Sequence, residues 1–231
     1  MRNVLNPILR LLLPNCCALC QRRQCHAICE ACLIQLLKQS VHMRCIMCGT
    51  PNKTWVCKSC QYAKWSFDQS LVLCDESSRL IPLIKGCDES GQIKYLPAIF
   101  YAWNTFNLKK MPPVDLLIPL PELFTKSQKR GFWFALILVK KWSQLTRTPY
   151  NKELINIDTT ANKSAEMNMP LYYVDPKYLH TDVLWNKRIA IVMPLMQSEH
   201  VLHLLATQLK NQGVRWVAYW SLTRKPKKDY C

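Results

Sequence analysis

The chain has 231 residues and a formal net charge of +16, from 31 lysines and arginines against 15 acidic residues. Hydrophobic residues make up 49% of it, which suffices for a packed core and excludes a disordered chain. The longest apolar run, 132–139, is far shorter than the roughly 18 residues that cross a bilayer, so we expect no transmembrane helix.

The amino-terminal segment has two features of a secretion signal, because its apolar stretch, 8–13, follows an arginine near the start. Pro7 and Arg10 interrupt the apolar character of this segment, and no small-residue cleavage site follows it. We therefore expect a short amphipathic helix that packs on the body of the protein, and a cytoplasmic location.

Four C-x-x-C pairs follow within 44 residues. A C-x-x-C turn directs two thiolates at one tetrahedral ion, and two such turns complete a four-sulfur site. The pairs therefore predict two zinc ions. We assign the ligands in chain order: Cys17, Cys20, Cys29 and Cys32 for the first ion, and Cys45, Cys48, Cys57 and Cys60 for the second.

Several alternatives stay open for these sites. A cross-braced pairing uses the same cysteines, an iron–sulfur cluster uses the same ligands, and Cys16, Cys25 and His26 are spare donors for the first site. Four thiolates leave no open coordination position, so a structural role is expected. The segment 1–63 is too short and polar to fold without its metal. Eight thiolates and two divalent ions together add about −4, which leaves a net charge of about +12.

The segment 64–224 alternates strand-like and helix-like patterns and predicts an α/β domain. Strands are expected at 69–74, 114–120, 188–193 and 214–222, and helices at 78–85, 92–106, 127–145 and 198–212. Gly213 stands where a helix C-cap belongs, 156–170 is polar and irregular, and 225–231 is a basic tail. The alternation favours a mostly parallel sheet that is covered on both faces. Ligands of such sheets bind at the carboxyl ends of the strands, here after Ile118 and after Val192.

The stretch 123–152 contains seven basic residues and no acidic one, with aromatic residues between them. Cations that meet phosphates and rings that stack on bases suit single-stranded nucleic acid. A solvated basic helix face above core aromatics explains the same pattern, but the overall charge favours a polyanionic partner. The contacts that we expect are Lys129, Arg130, Lys140 and Lys141.

Three motifs of this chain are similar to those of one family. Ile118-Pro119-Leu120-Pro121 is similar to a V-P-V-P strand end, Lys129-Arg130-Gly131-Phe132 to the start of R-G-F-N-Q, and Leu83-Ile84-Lys85 loosely to L-I-x-x-L-K. With the C-x-x-C pairs, these motifs resemble the ComF or GntX-like family of competence proteins over nearly the whole chain; Asn168 is a possible remnant of a later motif. The resemblance implies a zinc ribbon, a type I phosphoribosyltransferase fold and a role in natural transformation.

The loop after the strand 188–193 departs from that family's D-D-V-x-T-T-G-x-T motif. Met193 and Pro194 stand in the places of its two acids, and Glu199 in the place of its glycine. Gln197, Ser198 and Val201 replace its three threonines. A carboxylate in the first turn of a helix occupies the site that a phosphate would take. We therefore expect Ser198 to be a helix N-cap and the phosphate loop to be degenerate.

Three functions remain as hypotheses. The first is a competence protein that handles single-stranded DNA without catalysis. The second is an active phosphoribosyltransferase that uses phosphoribosyl pyrophosphate and magnesium, which the altered loop disfavours. The third is a zinc-ribbon adaptor that docks a DNA-uptake helicase or a recombination-loading protein.

Overall fold

The computed structural model describes residues 16–24, 26–40, 43–158, 171–179 and 182–224. The predicted amino-terminal helix, Cys25, Asn168 and the basic tail lie outside these residues. No helix in the described part of the chain is long and apolar enough to cross a membrane.

The described residues form a four-stranded parallel sheet, a two-stranded antiparallel hairpin and seven α-helices. The strands are β1 (Gln69–Asp75), β2 (Leu116–Pro119), β3 (Ile155–Asp158), β4 (Leu171–Val174), β5 (Arg188–Leu195) and β6 (Trp216–Arg224). The helices are α1 (Glu30–Ser40), α2 (Lys58–Tyr62), α3 (Ile81–Ser90), α4 (Leu96–Asn107), α5 (Phe124–Arg130), α6 (Phe134–Thr146) and α7 (Glu199–Asn211).

The parallel sheet has the strand order β1-β6-β5-β2, with apolar side chains buried on both of its faces. Helices α4 and α6 pack on one face, where Trp103 stacks on Trp142 with ring centroids 4.0 Å apart. Helix α7 packs on the other face, and the β3–β4 hairpin lies against it. The predicted α/β architecture with a mostly parallel, doubly covered sheet is confirmed.

Two elements differ from the sequence prediction. The single helix expected at 127–145 is wrong: Gly131 ends α5 with a φ of +89°, and Trp133 is extended before α6 begins. The left-handed conformation at Gly131 turns the chain, and its N–H donates to the Ser127 carbonyl as a helix cap does. Residues 156–158, which belong to the segment 156–170 that we expected to be irregular, lie in β3.

The turn after α7 confirms the expected role of Gly213. Gly213 has a φ of +84°, and its N–H donates to the Lys210 carbonyl at 2.9 Å. Val214 N–H donates to the Leu209 carbonyl at 3.3 Å, which completes a Schellman motif. A Cβ at residue 213 would lie 2.3 Å from the Trp185 ring, so only glycine fits there.

Candidate metal centres and the carboxyl end of the sheet

The eight C-x-x-C cysteines form two groups of four. In each group all the sulfurs lie within 4.8 Å of one another. The groups follow chain order: Cys17, Cys20, Cys29 and Cys32 in the first, and Cys45, Cys48, Cys57 and Cys60 in the second. The sequential arrangement is therefore the one that this fold adopts.

The two groups are built by a structural repeat with a spacing of 28 residues. Cys29 N–H donates to Cys17 Sγ at 3.4 Å, and Cys57 N–H donates to Cys45 Sγ at 3.3 Å. The turns that carry the first pairs are closed alike, by Cys17 N–H to the Arg22 carbonyl and Cys45 N–H to the Thr50 carbonyl. N–H donors directed at sulfur stabilise the thiolate, which is the form that binds metal. We call these segments, 16–38 and 44–62, the first and second ribbons.

The sulfur spacing fits one tetrahedral ion in each ribbon. Cys20 Sγ lies 3.6 Å from Cys29 Sγ, and Cys48 Sγ lies 3.8 Å from Cys57 Sγ. A zinc ion with 2.3 Å bonds to four sulfurs requires an edge of about 3.8 Å. Each group can thus hold one metal ion in a closed four-sulfur shell.

The ionisation of two thiols reflects the same geometry. Burial opposes ionisation of Cys17, but N–H groups of the Cys29, Cys20 and Leu19 backbone outweigh it and lower its pKa to about 6. Hydrogen bonds with the Cys45 and Cys60 thiols, and more weakly the charge of Arg224, lower the pKa of Cys48. In the same groups, burial raises the pKa of Cys32 to about 12, and hydrogen bonds with neighbouring thiols raise the pKa of Cys45 and Cys60. One thiol of each ribbon therefore ionises readily without a metal, and these three would ionise only on binding a cation.

The second ribbon is attached to the free edge of β1. Arg44 forms a bidentate ion pair with Asp75, with distances of 2.9 and 2.8 Å, and Ser70 N–H donates to the Ile46 carbonyl at 2.7 Å. Gly49 approaches Val72 so closely that a Cβ would lie 2.3 Å from Val72 Cγ2. The ribbon thus covers an edge that would otherwise expose unpaired backbone groups.

The loop after β5 carries the residues that the ComF resemblance aligns with a phosphate motif. Met193 is buried in the core beneath α7. The last residue of β5 that pairs with β2 is Val192, so the missing N–H of Pro194 costs no hydrogen bond between these two strands. Ser198 Oγ accepts from Val201 N–H at 3.4 Å, which confirms the predicted N-cap. Glu199 is the first residue of α7, and its Oε1 accepts from Arg224 Nη2 at 2.5 Å.

A cleft of about 180 Å³ lies between the carboxyl ends of β2 and β5. Its apolar lining includes Leu120, Ile157 and Met193, and Gln197 reaches its rim. Its charged residues already pair with one another or with Arg130: Lys126 Nζ lies 2.7 Å from Asp88 Oδ2, and Arg130 bridges Asp88 and Glu122. A polyphosphate that entered this cleft would meet carboxylates and apolar side chains.

The side chain of Arg130 is buried, so a nucleic acid could not contact it. Its side chain is 1% exposed, and it donates to Asp88 Oδ1 at 2.5 Å and to a Glu122 carboxylate oxygen. The predicted contact at Arg130 is therefore wrong, because the buried guanidinium neutralises two acids from elsewhere in the chain. The aromatic residues Phe134 and Trp142 are core residues, and Trp133 donates from Nε1 to the Leu120 carbonyl at 3.1 Å.

The other predicted cations lie on two different helices. Lys129 is exposed on α5, whereas Lys140 is exposed and Lys141 is half-buried on α6. The expectation that they follow one continuous helix fails at the break after Gly131. What the structure adds is a shallow groove of about 510 Å³ beside β2, lined by Lys140, Lys152, Tyr150, Asn151 and Glu153, among others. We call it the basic groove.

Tyr150 was not predicted to belong to a site. The segment 149–151 pairs with the outer edge of β2: Leu117 N–H donates to the Pro149 carbonyl at 2.9 Å, and Asn151 N–H to the Leu117 carbonyl at 3.0 Å. This pairing presents Tyr150, 40% exposed, beside the lysines. The sequence around Pro149 and Tyr150 has no pattern that predicts pairing with the edge of β2.

No family model matches the sequence, and no curated protein matches it. Among solved structures, a purine phosphoribosyltransferase from Pyrococcus horikoshii is similar, with 16% identity and a TM-score of 0.35 over 58% of this chain and 89% of that chain. A likeness of this size says nothing about a shared activity. The parallel α/β sheet and the two cysteine groups agree with the family resemblance, and membership of the ComF family stays a prediction.

Proposed function

We propose that this protein is a non-catalytic, zinc-stabilised α/β protein that binds single-stranded DNA through the basic groove. Following the ComF resemblance, its place would be the cytoplasmic handling of incoming DNA in natural transformation. The observation that carries the proposal is the groove itself, in which two exposed cations and a half-exposed ring lie together.

The charges of the basic groove favour an anionic ligand. Lys140 and Lys152 have no ion-pair partner among the described residues, and Glu153, the acid at the groove, is paired with Lys177 at 2.8 Å. Free cations on a protein of about +12 attract phosphates, and Tyr150 offers a ring on which a base can stack. The proposed contacts are Lys129, Lys140, Lys141 and Lys152, without Arg130.

Phosphoribosyl transfer is disfavoured by the loop after β5. An enzyme of that type needs acids for the ribose hydroxyls and metal, and open backbone amides for the 5′-phosphate. Met193 and Pro194 offer no carboxylate, and the Glu199–Arg224 pair occupies the first turn of α7. We therefore propose binding without catalysis.

Zinc is the ion that the two ribbons suit best. All four sulfurs in each group lie within 4.8 Å of one another, which favours one ion over a cluster whose ligands bind different iron atoms. A closed shell of four thiolates has no position for substrate. The ions would stabilise the ribbons, and through Arg44 and Asp75 the edge of the sheet.

The test is equilibrium binding of a labelled single-stranded oligonucleotide to the double variant Lys140→Ala/Lys152→Ala. A matched control, Lys38→Ala/Lys85→Ala, removes the same charge from two exposed lysines elsewhere. The groove variant is expected to lose about ten-fold or more in affinity, and the control less than about three-fold. Equal affinity of the two variants would mean that the basic groove is only a solvated surface.

A further inference from the structure

A second groove, of about 330 Å³, lies between the second ribbon and the β1 edge of the sheet. Met43, Ile46 and Trp55 of the ribbon side face Ser70 and Leu71 of β1, and the end of α4 closes the groove with Phe106 and Asn107. Lys110 stands at the same end. The volume of this groove falls in the range of small-molecule sites, and the groove shares no lining residue with the basic groove. We call it the ribbon groove.

Two buried polar side chains that line the ribbon groove have an unused hydrogen-bonding atom. Asn107 is 3% exposed and Ser70 is 6% exposed. Within the part of the chain that the structure describes, neither Asn107 Nδ2 nor Ser70 Oγ has a hydrogen-bond partner. A buried amide without a partner destabilises the fold, so such groups are rare unless a ligand or water satisfies them. Together they offer two donors from the amide and a hydroxyl that can donate or accept.

Trp55 is an exposed ring that the ribbon does not need for its own fold. The 28-residue repeat matches Trp55 with Ala27: Ile46 N–H donates to the Trp55 carbonyl at 2.8 Å, and Ala18 N–H to the Ala27 carbonyl at 3.0 Å. The same backbone turn thus forms with alanine in the first ribbon. In the second ribbon the indole is 72% exposed and lines the groove. A large exposed ring in such a place suits stacking on a flat ligand.

The charge of the ribbon groove suits an anion. Lys110 is exposed, and among the described residues it has no ion-pair partner. None of the described residues that line the groove is acidic, and Arg44, the other cation there, is already paired with Asp75. A ligand that carries one phosphate would therefore find a free cation, an exposed ring and hydrogen-bond donors in one groove.

We propose that the ribbon groove binds a nucleotide, with its base stacked on Trp55 and a base carbonyl accepting from Asn107 Nδ2. The phosphate would contact Lys110. This inference is independent of the basic groove, and the nucleotide could come from a free mononucleotide or from within a single strand.

The experiment is calorimetric titration of the full chain with two probes, thymidine 5′-monophosphate and a five-nucleotide oligothymidylate. Binding of both with similar affinity indicates a mononucleotide site. Binding of the oligonucleotide alone indicates a strand site in the ribbon groove when Trp55→Ala weakens it, and binding in the basic groove when Trp55→Ala does not. For either site in the ribbon groove, Trp55→Ala is expected to weaken binding about five-fold or more. Trp185→Ala, which removes an equally exposed indole elsewhere, is expected to leave the affinity unchanged.

A second variant separates ligand binding from stability. Asn107→Leu replaces the amide with an apolar side chain of the same branched shape, so the urea midpoint is expected to stay or rise while nucleotide affinity falls. Lysine variants of the basic groove are expected to leave monophosphate binding intact. The proposal is overturned if neither probe binds, or if the Trp55 and Trp185 variants bind both probes with the same affinity.

Discussion

Arg224, the last residue of β6, donates from Nη2 to Glu199 Oε1 in the first turn of α7, at 2.5 Å. Their side chains are 6% and 18% exposed, so the pair is largely shielded from water. A helix N-terminus attracts anions, and here the attraction is satisfied by a carboxylate of the protein itself, which a nearby guanidinium neutralises. The ComF resemblance predicts a glycine that admits a phosphate at this position, and here the Glu199–Arg224 pair occupies it.

Breaking this pair from one side is expected to destabilise the fold. Arg224→Met removes the guanidinium that neutralises the shielded Glu199 carboxylate, and we expect it to lower the free energy of unfolding by about 3 kcal/mol. The double variant Arg224→Met/Glu199→Gln removes both charges and is expected to recover most of that loss. Urea unfolding of the parent, both single variants and the double variant measures this coupling. Strictly additive losses would show that the two side chains do not interact.

Phosphoribosyl pyrophosphate is expected not to bind. Neither Met193, which is buried in the core, nor Pro194 beside it offers a carboxylate, and the Glu199–Arg224 pair occupies the first turn of α7. Calorimetric titration with magnesium present should give no heat of binding, and no pyrophosphate should be released with any base. A micromolar affinity would overturn this part of the account and restore the enzyme hypothesis.

The purified protein is expected to contain two equivalents of zinc. Elemental analysis of Cys57→Ser/Cys60→Ser should find one equivalent, because the second group loses half of its sulfurs. Cys74→Ser/Cys87→Ser is the matched control, since these two cysteines lie outside both groups, and it should retain both ions. Absence of metal from the parent, or disulfides between the ribbon cysteines, would refute the assignment.

The buried thiol of Cys74 predicts a loss of stability at high pH. Burial raises its pKa from 9.0 to about 12, so the native state keeps a proton that the unfolded chain loses above pH 9. Because the unfolded state then binds fewer protons, the free energy of unfolding falls as pH rises from about 9 towards 12, by up to about 1.4 kcal/mol per pH unit. Urea unfolding of Cys74→Ala between pH 8 and about 11 should show a shallower decline than the parent. Parallel curves would argue against the raised pKa.

The sequence predicted what depends on local spacing. The C-x-x-C intervals favoured the sequential grouping of the cysteines that the structure has, the apolar runs at β5 and β6 predicted strands, and Ser198 marked the start of α7. Gly131 was the available signal for the break between α5 and α6, but the periodicity on either side of it suggested one helix.

Contacts between residues that are far apart in the sequence could not be predicted. Arg130 looked like a surface cation because its partners, Asp88 and Glu122, come from another helix and a loop. The ribbon groove joins Trp55 to Asn107, residues that only the packing of the second ribbon on the sheet brings together. Long-range contacts of this kind leave no periodic signal in one sequence.

The measurement that tests the central claim most directly is the salt dependence of single-stranded DNA binding. Between about 50 mM and about 200 mM salt, the affinity of the parent should fall with a logarithmic slope near −0.7 for each phosphate contact. Lys140→Ala/Lys152→Ala removes two contacts and should flatten this slope by about 1.4, whereas Lys38→Ala/Lys85→Ala should keep the parent's slope. Affinity that does not change with salt, or the same slope for parent and groove variant, would contradict the proposed role of the basic groove.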